Sequence, residues 1–164
     1  MIVELLLREV HRYRRERNCT AVLMCDIYHF KSVNDSLGHA GGDDVLREVS
    51  RRLRTSVRSH DMVGRYGGEE FLVLNKCDPA SAVHRTENLR QSIFSRPIHL
   101  ASSQLTVSIS LGLVLSSDFP RCDVEELLHH ADMALYAAKA SAATAKKVDL
   151  PNVAPDKESP LLTS

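Results

Sequence analysis

The chain has 164 residues, 43% of them apolar and 26% charged, enough to build the core of one soluble domain. Its 21 basic and 21 acidic side chains cancel, which speaks against nucleic acid or an anionic membrane as a partner, so any phosphate chemistry has to be local. No apolar run reaches the roughly 18 residues that span a bilayer. The four cysteines, Cys19, Cys25, Cys77 and Cys122, form no CxxC pair and follow no secretory leader pattern, which points to the cytoplasm, although a longer parent protein could be membrane-anchored.

Ile2, Leu5, Leu6, Val10 and Tyr13 recur at helical spacing ahead of a basic run, so residues 1–17 are expected to open with an amphipathic helix. Residues 20–25 are an unbroken apolar run of the kind that forms a buried strand, with Cys25 a packed core thiol. The run stops at Asp26, and a carboxylate at the end of a buried strand needs a reason. Over 43–57, Val45, Leu46, Val49, Leu53 and Val57 mark the inner face of a second helix, with Arg47, Arg51, Arg52 and Arg54 on the outer one. Residues 62–66 and 71–75 are apolar-rich and joined through Gly67-Gly68, a pair that suits the positive φ of a type I′ turn, so a β-hairpin with an exposed turn is expected.

A third helix is expected over 79–95. Leu105, Val107, Ile109, Leu111 and Leu113 alternate with Thr106, Ser108, Ser110 and Gly112, the period of a half-buried strand. Asp123 with Glu126 reads as a capping box, and Leu127, Leu128, Ala131, Leu135 and Ala138 carry a last helix to about Lys139. Residues 1–147 then form one domain, and 148–164, with Pro151, Pro155 and Pro160, are expected to be a disordered tail. The order helix, strand, helix, hairpin, helix, strand, helix predicts an α+β fold, a mainly antiparallel central sheet flanked by helices.

Asp26 ends one strand and Glu69 and Glu70 follow the glycine turn, so neighbouring strands can bring these carboxylates to one end of the sheet. Two close carboxylates suit Mg²⁺, a hard ion that takes one or two protein carboxylates together with water and substrate phosphates. Solvated turn acids are the plain alternative. Gly41-Gly42 entering a helix could cradle a phosphate, but Asp43 and Asp44 at that helix start would repel it. His129 and His130 with Cys122 are a poor zinc set, because adjacent helical residues point to different faces.

The run Asp26-Ile27-Tyr28-His29-Phe30-Lys31-Ser32-Val33-Asn34-Asp35, then Gly38-His39 and Gly42-Asp43, stands ahead of Arg65 and Gly67-Gly68-Glu69-Glu70-Phe71. Ala131-Asp132-Met133-Ala134-Leu135-Tyr136-Ala137-Ala138-Lys139 follows near the end. This pattern, over about residues 10–140, resembles the GGDEF family of diguanylate cyclases in its GGEEF variant. The resemblance implies a palm-like, nucleotidyl cyclase or ferredoxin-like βαββαβ core. It also implies Mg²⁺- (or Mn²⁺-) dependent condensation of two GTP into cyclic di-GMP by a homodimer with one GTP per protomer.

By position, the resemblance makes Asp26, the Ile27 carbonyl and Glu69 the metal ligands, and Glu69 and Glu70 the catalytic carboxylates, without deciding which is the base. Asn34 and Asp43 would read guanine, and Asp43 suits the paired N–H donors that guanine has and adenine lacks, which weighs against a cyclase for a different nucleotide. His29, Phe30, Lys31, Gly67, Gly68 and Lys139 would contact the rest of the nucleotide. Arg58 and Asp61 match the family's RxxD site, where cyclic di-GMP binds and inhibits. Where the family reads Ser-Gly-Arg-Asn this chain has Ser141-Ala142-Ala143-Thr144, without the phosphate-binding arginine, for which Lys146 or Lys147 would have to substitute. Tyr28 replaces a common acid, and His84 and Asn88 replace two secondary inhibitory arginines. The family's usual front segment is missing, so a shortened domain behind an upstream sensory domain is expected. An alternative consistent with these departures is a weak or inactive domain that binds GTP or cyclic di-GMP as a regulatory module.

Overall fold

The computed structural model describes residues 1–101, 103–140 and 148–149. In chain order the elements are α1 (Ile2–Glu16), β1 (Thr20–Ile27), α2 (Phe30–Ser56), β2 (Met62–Gly67), β3 (Glu70–Lys76), α3 (Pro79–Phe94), β4 (Ile98–His99), β5 (Gln104–Leu105), β6 (Ile109–Leu115), α4 (Val124–Ala140) and β7 (Val148–Asp149), with a 3-10 turn at Ser116–Asp118. The main sheet has the order β2-β3-β1-β6-β7, antiparallel throughout except for β7, which runs parallel to β6. β1, α2, β2, β3, α3 and β6 follow one another as βαββαβ, with β1 at the centre. This is the α+β architecture expected. Apart from the two residues of β7, the expected tail lies outside the described residues, as do Ala143, Lys146 and Lys147.

Alternation along β1 assigns its side chains to two separate cores. Leu23, Cys25 and Ile27 pack with Val45, Val49 and Leu53 of α2 and Leu89 and Ile93 of α3. Val22 and Met24 pack on the other face with Leu6 and Val10 of α1 and Leu127, Ala131 and Leu135 of α4. Each fully buried side chain of this size contributes about 1.5–3 kcal/mol, and a strand covered on both faces has no polar side to show, which is why residues 20–25 read as continuously apolar.

Four local outcomes differ from expectation. The second helix starts at Phe30 rather than near Asp43: Phe30 and Val33 enter the α2–α3 core one turn apart, and Gly38 (φ 71°, ψ 172°) joins this first arm to the long one through a kink. Arg52 leaves the outer face of α2. It is buried, and its guanidinium donates to the carbonyls of Ile93 (2.8 Å) and Pro97 (2.8 Å), satisfying the backbone where α3 ends. In the hairpin Gly67 pairs with Glu70, so Gly68-Glu69 is the turn; only Gly68 has positive φ (38°), so type I′, which needs it at both central residues, is not formed.

β6 is the fourth difference. It keeps only 109–113 of the expected strand, runs on to Leu115, and is buried on both faces. Its small residues admit α4: a Cβ on Gly112 would stand 2.3 Å from the Ala131 carbonyl oxygen and 2.4 Å from the Leu135 nitrogen. α4 itself begins as the sequence predicts on one side of the box, with Asp123 Oδ1 accepting the Glu126 N–H at 2.8 Å. The reciprocal bond is missing, since Glu126 Oε2 is buried without a partner.

Candidate active site

β1 carries Asp26 one residue before its end, on the face that looks toward α4. The ladder places Glu70 of β3 opposite it on one side and Ser110 of β6 opposite it on the other. Paired residues of a sheet share a face, so Glu70, Asp26 and Ser110 form a row across three strands. From the last turn of α4, Lys139 Nζ reaches Asp26 Oδ2 at 2.8 Å. Thus central strand and hairpin bring their carboxylates to one end of the sheet, as the positions of Asp26 and the glycine turn predicted, and the last turn of α4 joins them there.

The electrostatics of this row are strained. Burial pushes the Asp26 carboxyl above the usual carboxylate range, against the hydrogen bond and charge of Lys139, and the Glu69 charge adds to the rise. Glu70 is raised by burial first and then by Asp26; Lys139 opposes this, while Asp132 and Glu69 add to it. Glu69 and Glu70 therefore both lie within electrostatic reach of Asp26. Among the described residues no three His, Cys, Asp or Glu side chains form a cluster able to cage a metal. Two carboxylates and a carbonyl are nevertheless the donor set that a hard divalent ion takes when phosphates and water complete its shell.

After Ile27 the chain turns sharply. The Tyr28 N–H donates to the Ser108 carbonyl at 2.9 Å, and His29 adopts a left-handed conformation (φ 53°) as the N-cap of α2. The first arm of α2 thus starts beside Asp26, with the exposed Lys31 in its first turn and open backbone N–H groups that favour an anion. Phe30 is buried in the core, so it presents its backbone rather than its ring to this site.

Beyond the kink, Asn34 Oδ1 lies where a Cβ on Gly42 would be, 1.9 Å from that position. Asp43 is exposed and lines a pocket of about 360 Å³ with Leu46, Arg47, Ser50, Arg65 and Phe71. Arg65 also donates from Nε to the Gly68 carbonyl at 2.7 Å, so this pocket runs from Asp43 to the turn that bears Glu69. A Cβ on Gly67 or Gly68 would meet nothing within 4 Å, leaving the turn open to approach.

Arg58 and Asp61 lie at the other end of the sheet. The Asp61 carboxylate is fully buried and already engaged: it accepts from the backbone N–H groups of Arg58 (3.1 Å) and Lys76 (3.2 Å) and from Arg85 (3.0 Å). Arg58 is exposed. Two residues near the carboxylates were not picked out from sequence. Ser110 is fully buried with no partner for its hydroxyl, and Asp132 acts on Glu70. Asp132 stands two helical turns before Lys139, a same-face spacing visible in the sequence, whereas nothing local marks Ser110.

The family model for the diguanylate cyclase GGDEF domain matches residues 1–144. Diguanylate cyclase A of Treponema denticola is 38% identical over 125 residues, covering 76% of this chain and 33% of that protein. The cyclic di-GMP phosphodiesterase NbdA of Pseudomonas aeruginosa is 36% identical over 138 residues, covering 84% of this chain and 17% of that protein. The chain therefore spans a third or less of the length of these curated relatives. Among solved structures, the GGDEF domain of TpbB from Pseudomonas aeruginosa matches with a TM-score of 0.83 at 36% identity, covering 91% of this chain and 92% of that one. With a family match running almost from end to end of the described fold, and relatives above 30% identity over most of its length, the chain belongs to the diguanylate cyclase GGDEF domain family.

Proposed function

We propose that residues 1–147 act as a diguanylate cyclase, joining two GTP into cyclic di-GMP with release of two pyrophosphates, as a cytoplasmic homodimer in which each protomer holds one GTP. The observation that carries this is the Asp26–Glu70 register pair under Lys139, at the mouth of the α2 N-terminus. A buried carboxylate with a half-buried one beside it costs a fold stability, so the pair argues for chemistry.

Asp26, the Ile27 carbonyl and Glu69 would hold Mg²⁺ (or Mn²⁺), which when bound supplies the charge that neutralises a triphosphate. Lys31 and the backbone N–H groups of His29 and Phe30 bind phosphate oxygens at the helix start. Lys139 moves its ammonium from Asp26 to the phosphates. Asn34 and Asp43 orient guanine, with its base against the pocket of Leu46 and Phe71, and Gly67 and Gly68 let the nucleotide lie against the turn.

In each half-reaction the 3′-oxygen of one GTP bonds to the α-phosphorus of the other, the bond from that phosphorus to the bridging oxygen breaks, and pyrophosphate leaves. Glu70 takes the hydroxyl proton. Repeating the step across the dimer closes the ring. Arg58, beside the turn that Asp61 holds, supplies the contact for product inhibition, and an upstream sensory domain in a longer parent protein would control dimer formation.

The test is GTP turnover with Mg²⁺ at protein concentrations high enough for dimers, with cyclic di-GMP and pyrophosphate measured by chromatography. Product that disappears in Glu70→Ala is expected; its absence in the unaltered protein overturns the enzyme reading. A second reading, a binding module without turnover, is favoured by Ala143 standing where the family carries its phosphate-binding arginine. It predicts cyclic di-GMP binding that Arg58→Ala abolishes, without any product from GTP.

A further inference from the structure

Along the sequence Cys19 and Cys77 have no relation to each other, yet the fold sets them side by side. They stand one step beyond the last ladder pair of β1 and β3, Thr20 with Lys76, and the Cys77 N–H donates to the Cys19 carbonyl at 3.2 Å. Both are free thiols and partly exposed, whereas Cys25 and Cys122 are free and buried. The two thiols stand close enough to shift each other's proton affinity, and Cys19 Sγ is 3.5 Å from Ser117 Oγ. Hydrogen-bonded facing residues of an antiparallel ladder have Cα atoms about 5.5 Å apart, inside the range of about 4.4–6.8 Å that disulfides bridge. The site is at the opposite end of β1 from Asp26, more than about 20 Å away at the rise of a strand, and uses none of the residues assigned to the nucleotide.

We propose that Cys19 and Cys77 are a redox-active dithiol, a modification site that reacts with peroxides or small disulfides and closes to a reversible intramolecular disulfide. With hydrogen peroxide, the Cys19 thiolate bonds to one oxygen, the O–O bond breaks, and hydroxide leaves, giving a sulfenic acid. The Cys77 sulfur then bonds to the Cys19 sulfur, the S–O bond breaks, and the departing hydroxide takes the Cys77 proton as water. The two thiols lose two electrons in all, and the peroxide, with the two thiol protons, becomes two waters. The roles follow from the surroundings. The Cys77 thiol beside it lowers the Cys19 thiol to about 6, with the Ser117 and Ser116 contacts adding and burial opposing, so Cys19 is the nucleophile near neutral pH. Cys77 is raised by Cys19, as suits the residue that resolves the sulfenic acid.

The purified chain is treated with about one equivalent of hydrogen peroxide, or with oxidised glutathione, alkylated, and analysed by intact mass and peptide mapping. The expected result is a loss of 2 Da, a Cys19–Cys77 linked peptide, Cys25 and Cys122 still reduced, and full reversal by dithiothreitol. In the reduced protein Cys19 should react with maleimide at least about tenfold faster than either buried cysteine. Cys19→Ser and Cys77→Ser, checked for folding by circular dichroism, should each abolish the linked peptide. Mapping the unaltered chain decides the matter even if a variant fails to fold. Four unchanged thiols, a link to Cys122, or Cys19 ending as a sulfinic acid or stable glutathione adduct while Cys77 stays alkylatable would each overturn the proposal.

Discussion

The two sides of the sheet treat their acids in opposite ways. On the side of α2 and α3, Glu48 and Glu87 are partly exposed and belong to arginines: Glu48 is held down to about 2, first by Arg51 and further by Arg52, and Glu87 is lowered by Arg90 and then Gln91. On the side of α1 and α4, Asp26 is buried and Glu70 half-buried beside it, with no arginine among the described residues to hold either down, and burial raises both. Carboxylates of the first kind support the fold. Those of the second kind are held at some cost to it, and that asymmetry marks the site more sharply than any count of charges.

The contrast depends first on α4 being pressed rigidly against β6. Gly112→Val places a side chain into the backbone of α4 and should cost about 3 kcal/mol or more in urea unfolding; a loss below about 1 kcal/mol would mean that the α4 side yields and does not confine Asp26 and Glu70. On activity, Lys139→Met should reduce GTP turnover about a hundredfold and, with the opposing cation gone, raise the Asp26 carboxyl further, as followed by NMR titration.

The pH dependence of stability separates the two sides directly. Asp26 and Glu70, with raised values, bind a proton more tightly folded than unfolded, so they weaken the native state as pH rises from the ordinary carboxylate range of about 4 through their raised values. Glu48 and Glu87, with lowered values, do the reverse: their contribution is present above the ordinary range and is lost as pH falls, for Glu48 toward about 2. Asp26→Asn should therefore gain stability relative to the unaltered chain between pH 4 and pH 7. Glu48→Gln should lose relative stability between pH 2 and pH 5, by about 1 kcal/mol after allowance for solvent screening. Equal signs for the two variants would erase the distinction. The smallest effect expected is that of Ser110→Ala: removing a buried hydroxyl with no partner should be neutral or stabilise by up to about 1 kcal/mol, and a clear loss would show that the hydroxyl is engaged with the carboxylate row.

Most elements were legible because one periodicity dominated each of them. β1, the hairpin strands and α4 each show an unbroken run or a regular stripe, α3 a weaker one, and Asp26 with the glycine turn located the carboxylates. What was not legible depended on contacts distant in sequence. The first arm of α2 carries only Phe30, Val33 and Leu37 as its stripe, too few to stand out among polar neighbours. Arg52 looked like a solvated charge because its partners are carbonyls at the end of another helix. The serines and glycine of β6 looked like a wet face, yet small size is what lets a helix cover them. Lys139 was expected to contact the nucleotide, and its ion pair with Asp26 joins residues that no local pattern connects.

The kink at Gly38 has a consequence for how this segment can change. Asn34 and Gly42 belong to two helical arms whose facing is set by residue count, and Asn34 Oδ1 occupies the space that any side chain at position 42 would take. Inserting one residue between them turns one arm by about 100° relative to the other and carries the amide out of that space. The segment can therefore accept hardly any change of length. In such a segment the number of residues is a constraint as strict as the identity of any one of them.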